Sequence, residues 1–360
     1  MAVGAYKYLT FTPWQGDLNN TRMCFETALV FAYLTGRCLV MPRQYRQCFE
    51  PEIDDGKFRP LHPGHLFDLN GLSGVVTLVS DENYEHVVGS DRPDDRVEVT
   101  FEPGTTVFCF PRIPPAGSSE AAALHQFAAS RQGRLEMTPE MQACRTLHLR
   151  TPMLEHFYTF VYTANPRDTT DYKQLIRDHV RFHQSIVLAA DHIVATLGDF
   201  GAVHVRRNDF VAQYPAQDLA ADRVLASLRP RVPSGSRLYV ATDEADKRFF
   251  DCFQQEYDVY FADQFQAYFP ENVDPSLLAC IEQEVCARAT VFVGTRLSTF
   301  SGYITRLRGY HGAQDTASYF TDGAQGSELD DRGKPSFSWI NWLQLGHPLW
   351  GREFREAWEF

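Results

Sequence analysis

Residues 201–210 read Gly201-Ala-Val-His-Val-Arg-Arg-Asn-Asp-Phe210. The run is apolar and then turns abruptly charged. In a strand, Val203 and Val205 face one side, while His204 and Arg206 face the other. The chain repeats this strand-then-helix unit. Ala202–Arg206, Leu238–Thr242, Val259–Ala262 and Thr290–Gly294 read as strands. Leu219–Leu228, Glu244–Gln254, Pro275–Ala289 and Thr299–Arg308 read as helices. Such alternation predicts an α/β fold with a parallel sheet covered on both faces, and ligands at the carboxyl ends of its strands.

Working outward toward the N-terminus, Asp171–Leu197 reads as one long amphipathic helix. Leu175, Ile176, Val180, Ile186, Val187, Ala190, Ile193 and Val194 form its apolar face. His179, His183 and His192 on it read as exposed or core-edge residues rather than metal ligands. Residues 43–150 hold many prolines, the paired acids Asp54-Asp55 and Asp94-Asp95, and short strands at Val75–Val79 and Thr106–Phe110. They read as insertions, with Pro111–Ser119 a loop. The chain opens as β-loop-α-β: strand Tyr6–Phe11, polar loop Thr12–Asn20, helix Thr21–Gly36 stopped by its glycine, strand Arg37–Pro42. From Tyr310 to Ser338 the chain reads as loop, and the aromatic tail (Trp339, Trp342, Trp350, Trp358) as packing across the domains. The expected domains are 1–197, 198–337 and a tail at 338–360.

Composition narrows the function. A chain of 360 residues is long enough for two α/β domains with separate cores. Its net charge of −12, without a basic run, argues against broad nucleic-acid binding. No apolar stretch is long enough to span a membrane; Ala28–Leu34 is too short. The start Met1–Lys7 lacks the pattern of a signal peptide, so a cytoplasmic location is expected. Eight cysteines are scattered with no CxxC pair, which favours reduced buried thiols over a disulfide or zinc framework. Asn19-Asn20-Thr21 matches the N-glycosylation pattern, a common chance match.

Four segments carry chemistry. At the end of its strand, the Arg206 fork suits a diphosphate and its departing charge; the alternative is a structural arginine paired with Asp209. In Leu238-Tyr-Val-Ala-Thr-Asp-Glu244, Thr242 and Asp243 cap the next helix, contact a ligand, or do both. In Val291-Phe-Val-Gly-Thr-Arg-Leu-Ser-Thr-Phe300, a strand enters a hydroxyl-rich turn. Ser298, Thr299 and the free N–H groups there form either an anion site or an ordinary cap. In Trp14-Gln-Gly-Asp-Leu-Asn-Asn-Thr-Arg22, Asn19 and Asn20 offer uncharged donors, and Asp17 is either a base or a cap. Motifs for P-loop kinases, dinucleotide oxidoreductases, GxSxG hydrolases and HExxH proteases are absent from the sequence. The paired acids read as solvated loop residues rather than a metal-binding DxD.

In this order, the segments resemble the GDP-fucose O-fucosyltransferase superfamily. The matching pieces are Gly16-Asp17-Leu18-Asn19-Asn20 and Leu39-Val40-Met41-Pro42, His204-Val205-Arg206-Arg207, Ala241-Thr242-Asp243-Glu244, and Glu282 ahead of Ser298-Thr299-Phe300-Ser301. The resemblance covers roughly residues 6–42 and 198–309. It implies a GT-B architecture of two Rossmann-like domains facing a central cleft, with the donor held mainly by the second. It implies an inverting transferase that uses GDP-fucose, needs no obligatory metal or other cofactor, and acts on an acceptor protein or glycan; the alternatives are a related transferase using GDP-mannose or a rhamnose donor, and a non-catalytic nucleotide- or glycan-binding protein on the same fold. Arg206 looks like the family's essential arginine, and Arg207 belongs to the same motif. His204 looks like a nucleotide contact. Thr242 or Asp243, and Glu282, look like contacts around the base or its supporting helix. Ser298, Thr299 and Phe300 look like the phosphate-binding turn, and Asn19 like an active-site asparagine from the first domain, with Gly16 and Asn20 beside it. Asp17 stands where the family loop more often has glycine, and Gly16 where some relatives carry a glutamate.

Overall fold

In the computed structural model the described residues are 6–12, 18–43, 62–89, 96–99, 106–107, 132–133, 138–149, 166–213, 215, 218–269, 275–295, 298–313 and 317–320. Those up to His183 form one compact unit and those from Gln184 a second.

The first unit is built on five parallel strands in the order β3-β2-β1-β7-β4. They are β1 (Tyr8–Phe11), β2 (Cys38–Met41), β3 (Leu78–Ser80), β4 (Arg96–Val99) and β7 (Thr146–Leu149). A separate parallel pair joins β5 (Thr106–Val107) to β6 (Gln132–Gly133). The described helices are α1 (Leu18–Thr35), α2 (Pro63–Leu66), α3 (Leu69–Ser73), α4 (Asp81–Val88), α5 (Pro139–Ala143) and α6 (Pro166–His179).

Helix α1 is buried on all sides from Thr21 to Ala32. An all-round apolar helix is a core element rather than a surface one. Its one internal ion pair, Arg22 Nε to Glu26 Oε1 at 2.8 Å, is fully enclosed, with the guanidinium 4.7 Å from the Phe182 ring centre. The helix stops at Gly36, whose φ of 62° is the left-handed conformation glycine adopts freely. The N–H groups of Gly36 and Arg37 then close back on the Tyr33 and Ala32 carbonyls, a Schellman end.

The single helix expected over 171–197 is two, α6 and α7 (Gln184–Leu197). Between them the chain pairs like a strand: Asp68 N–H donates to Arg181 O at 3.0 Å and His183 N–H to Leu66 O at 2.8 Å. Phe182 thereby stacks beside Phe67. No glycine or proline marks this break, and the tertiary pairing overrides the helical periodicity. His179 Nδ1 lies 3.1 Å from Gly71 O, and His192 stacks on Tyr268.

The second unit also has five parallel strands, in the order β10-β9-β8-β11-β12. They are β8 (Phe200–Val205), β9 (Arg237–Thr242), β10 (Asp258–Tyr260), β11 (Val291–Thr295) and β12 (Ala317–Phe320). Its helices are α7, α8 (Asn208–Gln213), α9 (Ala221–Leu228), α10 (Pro275–Ala287) and α11 (Thr299–Tyr310). On one face Val203, Val205, Leu238, Val240 and Val293 pack with Val224, Leu225 and Leu228 of α9 and with Phe250, Phe253 and Phe261. Helix α10 packs along α7 and α11 and against β8 and β9. This packing is why α7 belongs with the second unit, although the sequence reading drew its boundary after Leu197.

Two further expectations are corrected. The helix expected over Glu244–Gln254 is a pair of 3₁₀ turns, Lys247–Phe250 and Phe253–Gln255. Phe250 and Phe253 are both fully buried, and a spacing of three brings them to one side of a turn with three residues per revolution. The stretch read as loop after Tyr310 contains β12, an edge strand too short to show a period. The tail beyond 320, the loop at 111–119 and both acid pairs lie outside the described residues.

Candidate active site

From β8 the second unit runs outward to β9 and β10, then returns to β11 on the other flank. The order reverses between β8 and β11. In open parallel sheets, the crevice at the carboxyl ends of such strands is where ligands bind. Arg206 follows β8, and the turn into α11 follows β11, so both lie at this point.

The strand pattern is as the alternation requires. Val203 and Val205 enter the core, and His204 turns to the opposite face. There His204 is buried, with Nδ1 2.8 Å from Ser301 Oγ and its ring stacked on Phe300 at 4.3 Å. Burial, aided by the Arg206 charge, pushes its pKa down to about 3, so the ring is neutral at physiological pH. Arg206 keeps 21% of its side chain exposed, and its Nε lies 3.2 Å from Asp243 Oδ2. The contact is ionic rather than a directed hydrogen bond. Asp243, at the end of the neighbouring strand, is thus an ionic partner of this arginine, and the Asp209 side chain lies outside the described ones.

Arg207 is drawn into a different set of contacts. Its Nε donates to Glu244 Oε2 at 2.9 Å, an Nη lies 3.2 Å from Asp218 Oδ1, and the guanidinium sits 4.2 Å from the Phe249 ring centre. Its backbone N–H donates to Asp243 Oδ1 at 2.7 Å. Asp243 thus ties together the two residues after β8. Thr242 Oγ1 donates to Val205 O at 2.7 Å and accepts from Glu244 N–H at 3.0 Å. The residue that caps the following turn is Asp246, so Thr242 and Asp243 serve the strand ends instead.

Ser298 stands at the N-cap of α11, and its hydroxyl makes no cap bond. Thr299 and Phe300 begin the helix, half-buried. Glu282 on α10 is crowded by protein although part of its surface stays accessible, and this desolvation pushes its carboxyl up to about 8. Lys247 opposes the shift, and the buried Tyr239 hydroxyl faces the same carboxyl without hydrogen-bonding geometry. Asp243, the ionic partner of Arg206, also acts on Glu282 electrostatically, and His204 stacks on Phe300 at the start of α11.

In the first unit Asn19 is buried and Asn20 half-buried, in the first turn of α1. Gly16 and Asp17 lie outside the described residues.

The family model for GDP-fucose protein O-fucosyltransferases matches residues 8–311. The chain belongs to that family. It is accordingly a glycosyltransferase of the fucosyltransferase type. Its fold resembles that of POFUT1 crystallised with GDP, at 15% identity and a TM-score of 0.54 over 89% of this chain and 99% of that one. POFUT1 with GDP-fucose gives a TM-score of 0.53 at 15% identity over the same shares. The fucosyltransferase NodZ from Bradyrhizobium aligns over 84% of this chain and 94% of that one, at 13% identity and a TM-score of 0.48. No curated protein sequence matches. The fold is of the GT-B class expected.

In this family member three polar residues hold places at the strand ends that the sequence alone does not assign, although Ser301 stands in the matching motif and Thr295 in the quoted segment. Thr295 and Ser301 bond to the backbone and ring of the His204–Arg206 segment. Their signal was a hydroxyl residue closing the apolar strand and another in the first turn of the helix that follows. His148 on β7 sits with Nδ1 2.8 Å from Thr10 Oγ1 and Nε2 3.3 Å from Thr12 Oγ1. It lies where the first unit's strand order reverses between β1 and β7, and nothing in its flanking sequence marks it.

Proposed function

We propose that this enzyme transfers fucose from GDP-fucose to an acceptor hydroxyl on a peptide serine or threonine or on a glycan, with inversion at the sugar carbon. The observation that carries the reading is the position of Arg206 at the carboxyl end of β8, the switch point of the second sheet, with its N–H on Thr295 of β11 and its Nε beside Asp243 after β9. In the reaction the acceptor oxygen forms a bond to the anomeric carbon as the bond from that carbon to the diphosphate oxygen breaks. GDP leaves with the bonding pair. Arg206 neutralises the growing charge, and the N–H groups opening α11 add the field of a helix N-terminus. Ser298 and Thr299 line that turn, and Phe300 backs the neutral His204 against the nucleotide. Glu282 and Asp243 face the base or ribose side, and Arg207 holds the loop rather than the ligand. The acceptor proton passes to a base for which Asp17, with Asn19 and Asn20 following it, is the nearest candidate in sequence. These groups supply the charge stabilisation without calling for a metal.

Arg206→Ala tests the reading. Loss of one such charge-stabilising donor costs roughly a hundredfold to a thousandfold in turnover. The variant is expected to keep its circular dichroism spectrum and to lose fucosyl transfer from GDP-fucose, followed by GDP release with a glycan and peptide acceptor panel. Wild-type turnover by this variant overturns the reading.

A further inference from the structure

The β8–β9 ladder continues to the pair Val205↔Thr242, but the β8–β11 ladder ends at Val203↔Val293. The strands part just where the crevice opens. Alternate residues of a strand offer their backbone groups to the same neighbour, so the His204 carbonyl and the Arg206 N–H both turn toward the β11 side beyond the last ladder pair. One side chain takes both. Thr295 Oγ1 donates to His204 O at 2.9 Å and accepts from Arg206 N–H at 2.9 Å. A hydroxyl has one hydrogen to give and lone pairs to receive, so both bonds are satisfied together. Thr295 is completely buried. Its own N–H donates to Ser301 Oγ at 2.9 Å, and that oxygen lies 2.8 Å from His204 Nδ1. The threonine is thus itself held from α11.

We propose that Thr295 is a positioning residue for Arg206: its hydroxyl bridges the parted strands and fixes the root of the arginine at the crevice, so that the guanidinium is presented in one place. The inference rests on Arg206 being the diphosphate contact. Thr295 acts through the Arg206 backbone. Asp243 meets the Arg206 side chain at Nε and the next residue's N–H, whereas Thr295 bonds the Arg206 amide itself.

A double-mutant cycle read by calorimetric titration with GDP tests this on the full chain. Thr295→Val keeps the volume and removes the hydroxyl. It is expected to weaken GDP binding about tenfold, and Arg206→Ala by at least about tenfold. The double variant is expected to bind within about twofold of Arg206→Ala, since nothing is left to position. Thr295→Ser, which restores the hydroxyl, is expected within about threefold of wild type. Losses that multiply in the double variant overturn the inference, as does wild-type affinity in Thr295→Val. If instead Arg206→Ala binds GDP like wild type, the underlying reading falls and takes this one with it. Should Thr295→Val not fold, hydrogen exchange on the wild-type protein decides. The Arg206 amide, beyond the end of β8, is expected to be protected about a hundredfold or more, and free exchange there overturns the proposal.

Discussion

Gly294→Ala tests the architecture under the site. A methyl group at Gly294 would sit 2.7 Å from Ser301 Oγ, 2.8 Å from Ser301 Cβ and 3.1 Å from a Phe292 ring carbon. Carbon contacts are favourable at about 3.5–4.0 Å, so something has to move. Ser301 is fully buried in the first turn of α11 and is not the free end of a long side chain. The helix start must therefore retreat from the strand. Overpacking of this kind costs about 1–3 kcal/mol. Retreat also breaks the bonds from Ser301 Oγ to Thr295 N–H and to His204 Nδ1, each worth about 1 kcal/mol. The expected loss is about 3–5 kcal/mol. For a unit of this size that is a fall in Tm on the order of 10 °C. Differential scanning calorimetry reads it directly, and GDP titration on the same variant should show weaker binding, because His204 and Thr295 lose their shared anchor. Ser301→Gly removes both clashing atoms, so Gly294→Ala in that background should cost less than about 1 kcal/mol. A Gly294→Ala protein within about 0.5 kcal/mol of wild type, or an equal cost in both backgrounds, refutes the reasoning.

Two pH dependences follow from the buried ionisable groups. Glu282 holds its proton up to about pH 8, whereas an ordinary glutamate loses it near 4.5. Between these values the native state binds more protons than the unfolded chain, so stability falls as pH rises through that window. Glu282→Gln is expected to gain stability relative to wild type from pH 5 to pH 9 in urea titrations, and a constant difference contradicts the burial argument. His204 behaves oppositely. Its folded pKa of about 3, against an ordinary 6.5, means the native state binds fewer protons in that interval. The stability this contributes is complete above 6.5 and is lost as pH falls toward 3. His204→Gln should flatten the acid limb of the stability curve, and an unchanged slope argues against a neutral buried ring.

Much of the second unit was legible in the sequence because its strands are short apolar runs bounded by helices with their own period. Val203 and Val205 against His204 is a local fact of strand geometry, and the structure keeps it. The resemblance in the segments at 16–20, 204–207, 241–244 and 298–301 was likewise local, and the match over 8–311 extends it along most of the chain. The break between α6 and α7 was not legible, since Val180–His183 continues an apolar pattern and leaves it only to pair with Leu66–Asp68. Nor was β12, which is a strand because β11 offers it an edge.

By itself, then, the amino-acid order determined the class of fold and which side chains reach the carboxyl ends of the second sheet, because side-chain direction along a strand depends only on position. Tertiary structure decided which of them work together. Sequence neighbours Arg206 and Arg207 diverge, one to Asp243 and the other to Glu244, Asp218 and Phe249. His204, Thr295 and Ser301 converge from β8, β11 and α11 across as many as 97 positions. Hydrogen bonds form between groups brought within about 3 Å, and chain separation carries no information about that distance until the strands are laid side by side.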